Sequence, residues 1–206
     1  MSADISKLAT MLEMQNAMNT KIHPQWFEQG FEWYRAIWVE CAEMLDHYGW
    51  KWWKKQTPDT DQVILELVDI FHFGIAMRID GQTSYHTLAE QLFADISQPV
   101  VADDFKQTLE LLAGAAVMEK RFDAAAFAGC MQQIGMSLDD LYRGYVGKNT
   151  LNFFRQDHGY KDGSYIKVWN GQEDNEHLVE VVKSLDTSHP EFAKQVYQGL
   201  EARYPA

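Results

Sequence analysis

Cationic residues are scarce in this chain. Only 18 Lys and Arg stand against 30 Asp and Glu, a formal net charge of −12 over 206 residues. That excludes a nucleic-acid or anionic-membrane partner held by a general basic surface. An anionic ligand must instead be met by a metal or a local basic patch. Cysteine is rarer still. Cys41 and Cys130 are too few for a disulfide scaffold, and Cys41 reads as a small buried residue. No charged-then-apolar leader opens the chain, and no apolar run approaches the ~20 residues of a spanning helix. The expected setting is therefore the reduced cytoplasm, with no membrane partner. Repeats, linkers and composition breaks are also missing, so a single domain over residues 1–206 is expected. Hydrophobic residues, 46% of the total, are ample for its core.

What is there is helical periodicity. The pattern predicts helices over residues 4–19 (capped by Asp4 or Ser2), 29–48, 59–79, 84–96, 100–120, 123–134, from Ser137 onward, 173–185 and 190–203. The fold class is all-α: a helical bundle whose four-helix core carries a metal site, with additional helices around it.

The stretch EWYRAIWVECAEMLDHYGWKWWKKQTPDTDQVILELVDIFHF, residues 32–73, organises the rest. It holds two acidic pairs at helical spacing, Glu40/Glu43 and Glu66/Asp69, and a three-residue step keeps each pair on one face. The intervening turn makes the two helices antiparallel neighbours with the pairs at comparable heights. Four converging carboxylates repel one another unless a cation joins them, and a hard cation such as Mg²⁺ suits oxygen donors. Phe73, four residues past Asp69, lies on the same face. His72 reads as a structural histidine, because D-x-x-H alone is a weak signal.

Gln15 and Asn19 continue the apolar stripe of Leu8 and Leu12. Two amides in that place mean either a pocket wall or a helix end reaching solvent. Trp53 belongs to GWKWWKK, whose aromatics and lysines suit either base stacking with phosphate contact or a core cap or dimer contact. Later, Lys148, Asn152 and Arg155 share a helix face, with Asn149 beside them. Residues 143–167 hold five basic groups against two acidic, a net of +3. That is a local anion site, of the kind a polyphosphate needs beside its metal. The glycine-bearing run HGYKDGSYIKVWNG then reads as a mobile loop able to close over a ligand.

Taken together, MLEMQNAMN, the E-x-x-E stretch with its tryptophans, ELVDIFHF and GKNTLNFFRQDHGYK resemble the dimeric, all-α class of dUTP pyrophosphatases. That class sits within the all-α NTP pyrophosphatase superfamily. The resemblance implies hydrolysis of dUTP to dUMP and pyrophosphate, with dUDP as a second substrate, which limits uracil in DNA. It implies Mg²⁺, with Mn²⁺ as a substitute, held by Glu40, Glu43, Glu66 and Asp69, and Glu40 or Glu43 as the water-activating group. Gln15, Asn19 and Trp53 would line the uracil end. Phe73 would crowd out a ribose 2′-hydroxyl. Lys148, Asn149, Arg155, Tyr160 and Lys161 would contact phosphates and sugar. A homodimer is also implied.

Two other readings compete. A pyrophosphatase for another nucleotide, such as dCTP, stays open, because amides can donate or accept and Gln15 and Asn19 alone do not separate uracil from cytosine. A carboxylate-bridged di-iron bundle calls for two E-x-x-H repeats, and Asp69-x-x-His72 is the only approximation.

Overall fold

The computed structural model describes residues 2–186, 189 and 191–205. The Ser2 side chain and Pro190, expected as a first cap and a helix start, lie outside the described residues. Helix accounts for 67% of the chain, and the strands among the described residues form one tiny pair, so the fold is all-α. Internal contacts divide the chain into two compact units, residues 1–142 and 143–206.

The first unit contains α1 (Ser2–Ile22), a 3-10 turn (Trp26–Gln29), α2 (Trp33–Tyr48), α3 (Thr60–Ala76), α4 (Tyr85–Ile96), α5 (Phe105–Gly114) and α6 (Ala124–Gln133). The division falls inside α7 (Leu138–Asp157). Side-chain caps set most of these starts. Asp59, Ser84, Asp104 and Asp123 each accept a backbone N–H from the first turn of α3, α4, α5 and α6, each worth roughly 1 kcal/mol. At the start of α7, Asp140 accepts from Ser137 N at 3.0 Å while Ser137 Oγ accepts from Asp140 N at 3.1 Å. This is a reciprocal capping box, with Asp in the place of Glu.

α2 packs most extensively along α3, and α1 lies against α4 and α3. Leu8, Met11 and Leu12 of α1, Ile37 and Met44 of α2, and Leu67, Ile70 and Phe71 of α3 are fully buried in this core. His47 O accepts from Asp59 N at 3.0 Å, which ties the end of α2 to the start of α3 and sets them as antiparallel neighbours.

The two largest departures from the expected boundaries lie at α2 and α5. α2 begins at Trp33 and not at residue 29, because Gly30 takes a left-handed conformation (φ 60°) and ends the 3-10 turn. The segment expected as one helix over 100–120 starts only after its Asp104 cap and widens into a π-turn at Ala115–Glu119.

The second unit holds the rest of α7, a hairpin of β1 (Val168–Trp169) and β2 (Gln172–Glu173), α8 (Asp174–Lys183) and α9 (Phe192–Glu201). Asn170 and Gly171 both have positive φ, 50° and 86°, the pairing that closes a two-residue hairpin. Buried Phe154 and Trp169 pack with Tyr204 at centroid distances of 5.1–5.8 Å. A second capping box, Glu173 with Glu176, fixes the start of α8.

Candidate active site

Because α2 and α3 are antiparallel neighbours, their acidic faces meet. One oxygen each from Glu40, Glu43 and Glu66 lies within 4.8 Å of the others. Glu66 is buried, Glu40 half-buried and Glu43 exposed. Asp69 is close enough for its charge to act on Glu40. Burial first, then Asp69, then Glu66 and Glu43, push the Glu40 carboxyl up to about 9. His47 reaches the same group, its Nε2 3.5 Å from Glu66 Oε1.

Such a cluster holds either a proton or a cation. The three converging donors are carboxylate oxygens, the chemistry that a hard divalent cation takes, and the His47 nitrogen borders them at Glu66. Cys41, next to Glu40, is buried, and burial raises its thiol pKa, so it stays protonated and outside the donor set. The residues present fit a divalent metal.

α1 continues to Ile22, past the two amides, and both are buried. Gln15 Nε2 donates to Asn19 Oδ1 at 2.9 Å, while the buried Asn19 Nδ2 has no hydrogen-bond partner among the described residues. An unsatisfied buried donor costs roughly 1–3 kcal/mol, an expense that a pocket wall explains and a solvated helix end does not. Phe73 is half-buried and stacks on Trp33, ring centroids 6.1 Å apart. No motif in the sequence singles out Trp33. Trp53 stands 57% exposed, edge-on to Trp50 and Trp52, and so does not cap the core.

In the second unit, the expected basic face is not an ordinary solvated one. Lys148 and Asn149 are 3% and 1% exposed, and the buried Asn149 Nδ2 has no hydrogen-bond partner among the described residues. Lys148 Nζ donates to Asn175 Oδ1 at 3.1 Å. Arg155 donates through Nε and Nη2 to the two oxygens of Asp174, at 2.8 and 2.9 Å, and through Nη1 to Asn152 at 3.2 Å. Its guanidinium lies 5.7 Å from the centre of the Tyr160 ring. Tyr160 and Lys161 are exposed. Asp174 and Asn175 carried no signal in the sequence, where they look like ordinary first-turn residues of α8.

Residues 7–160 match the dUTPase family. That span contains both acidic pairs, the buried amides and every expected phosphate-side residue except Lys161. The chain belongs to the dUTPase family. No curated protein matches it. As a dUTPase it is a nucleotide pyrophosphohydrolase that takes dUTP and water to dUMP and pyrophosphate. Enzymes of this family are in general metal-dependent, in keeping with the acid cluster. Among the described residues, no helix is long and apolar enough to cross a membrane.

Proposed function

We propose that dUTP hydrolysis takes place at the acid cluster of α2 and α3, with Mg²⁺ as the cation and Mn²⁺ as a substitute. The convergence of Glu40, Glu43 and Glu66 within 4.8 Å carries this reading, and Asp69, whose charge acts on Glu40, is taken as the fourth ligand. When bound, such a cation neutralises phosphate oxygens and acidifies water. Glu40 or Glu43 orients the attacking water and accepts its proton. Gln15 and Asn19 hydrogen-bond the uracil edge, a role supported by the partnerless Asn19 N–H, and Trp53 supplies an aromatic face for the base. Phe73, backed by Trp33, takes the sugar and leaves no room for a 2′-hydroxyl. Lys148, Asn149, Arg155, Tyr160 and Lys161 contact phosphates and sugar. The three cations among them meet charge that develops on the phosphates.

dUDP is a second substrate in this reading, the cellular role is to limit uracil in DNA, and the enzyme works in the cytoplasm as a homodimer. Exposed Leu111, Val117 and Met118 on and after α5 support a subunit contact.

Pyrophosphate release from dUTP, UTP, dCTP and dTTP, with and without chelator, tests the reading. It predicts preference for dUTP, loss on chelation and recovery with Mg²⁺ or Mn²⁺. Glu43→Gln should lower kcat by about 10²–10⁴-fold with nucleotide binding retained. Normal turnover by that variant leaves Glu40 as the base. Equal use of UTP removes the sugar role of Phe73, and preference for dCTP reverses the hydrogen-bonding sense of the two amides.

A further inference from the structure

Asp174 is fully buried, and it accepts three hydrogen bonds: two from Arg155 (2.8 and 2.9 Å) and one from the Tyr165 hydroxyl (2.8 Å). Burial works against its charge, yet the bonds from Arg155 and Tyr165 prevail and hold its carboxyl below the ordinary carboxylate range. A buried ion pair is a poor way to gain stability, since well-packed apolar residues do as well or better. What it does supply is orientation. Two parallel N–H···O bonds fix the plane of a guanidinium as one contact does not.

The neighbouring residue acts in the same way. Asn175 Oδ1 accepts from Lys148 at 3.1 Å and from Arg155 Nη2 at 3.5 Å. The backbone beneath both is itself fixed. Asp174 N donates to Lys167 O at 3.0 Å, the Glu173/Glu176 box closes the first turn of α8, and buried His177 meets Trp169 O at 2.9 Å.

We propose that Asp174 is a positioning residue of the dUTPase reaction: through its paired bonds to Arg155, and with Asn175 holding Lys148, the start of α8 sets the phosphate-binding face of α7. The proposal rests on the reading above that Arg155 and Lys148 meet phosphates. It concerns residues beyond the span that matches the family. A guanidinium already ordered loses little rotamer freedom when a phosphate arrives, so binding is strengthened without a new contact to the ligand. Lysine cannot replace Arg155 here, because an ammonium does not span both Asp174 oxygens and Asn152 together.

The test uses the full-length enzyme and the variants Asp174→Asn, Arg155→Lys and the double variant, with folding checked by near-UV circular dichroism. For Asp174→Asn the expected result is a fall of about 10–100-fold in kcat/KM for dUTP, as for a slightly misplaced binding group. Inhibition by deoxyuridine, which has no phosphates, should be unchanged. A merely structural role moves both. The double variant should be no worse than the poorer single variant, because the two residues act through one contact. If Asp174→Asn is as active as the wild type while Arg155→Lys is impaired, the positioning role is overturned and the phosphate reading stands. If Arg155→Lys is fully active, the phosphate reading itself fails, and this proposal with it. Should Asp174→Asn not fold, Tyr165→Phe removes one donor to Asp174 and leaves the ion pair. A fall of about two- to fivefold, confined to dUTP, supports the proposal, and unchanged dUTP kinetics overturn it.

Discussion

Glu40 carries the strain of the acid cluster. Its carboxyl is pushed up to about 9 by burial and by Asp69, Glu66 and Glu43, whereas in the unfolded chain it titrates near the ordinary value of 4.5. The folded protein therefore holds a proton that the unfolded chain has released. The stability this confers is complete below about 4.5 and is lost as pH rises through about 9. Asp174 works in the opposite sense. Its pKa is lowered, so its contribution is present above the ordinary carboxylate range and lost as pH falls below it. Thermal melts of chelator-treated protein should thus show a melting temperature that declines between about pH 5 and pH 9. Glu40→Gln should remove the decline, and added Mg²⁺ should flatten it by replacing the proton. A flat profile in the chelator-treated wild type contradicts the crowding of these carboxylates.

Close packing holds the elements that present these residues. On α3, a Cβ added at Gly74 would lie 2.6 Å from the Phe122 ring, and Phe122 is itself buried against Phe71 and Phe127. Gly74→Ala should therefore destabilise the protein by about 1–3 kcal/mol in urea unfolding, overpacking outweighing the gain in helix propensity. Gly114 faces open space at the end of α5. Gly114→Ala should stabilise by up to about 1 kcal/mol, and the reverse order of the two would refute the packing described. Much at this level was legible in the sequence, because local chemistry decides it. Asp59, Ser84, Asp123 and the Ser137/Asp140 box announce helix starts, and the three-residue spacing of Glu40/Glu43 and Glu66/Asp69 puts each pair on one face. The Asn170-Gly171 hairpin also had its signal in the sequence, hidden inside what read as a loop. The Arg155–Asp174 pair had none. Nineteen residues separate its members, and only the folding back of the hairpin and α8 onto α7 joins them. Trp33 likewise carried no signal, because its stacking on Phe73 depends on how α2 and α3 meet.

At the scale of the whole molecule, the chain sets a background of −12 against a substrate that is itself a polyanion. The net +3 of residues 143–167 answers part of that repulsion, and the carboxylate cluster makes it worse unless a cation is held there. Metal binding is thus the claim from which the base, sugar and phosphate assignments take their meaning. Calorimetric titration of Mg²⁺ into chelator-stripped wild type and Glu66→Gln tests it most directly. The account predicts saturable binding by the wild type and a loss of about tenfold or more in affinity for the variant. Equal affinity in the two proteins, or no saturable binding by the wild type, would contradict it.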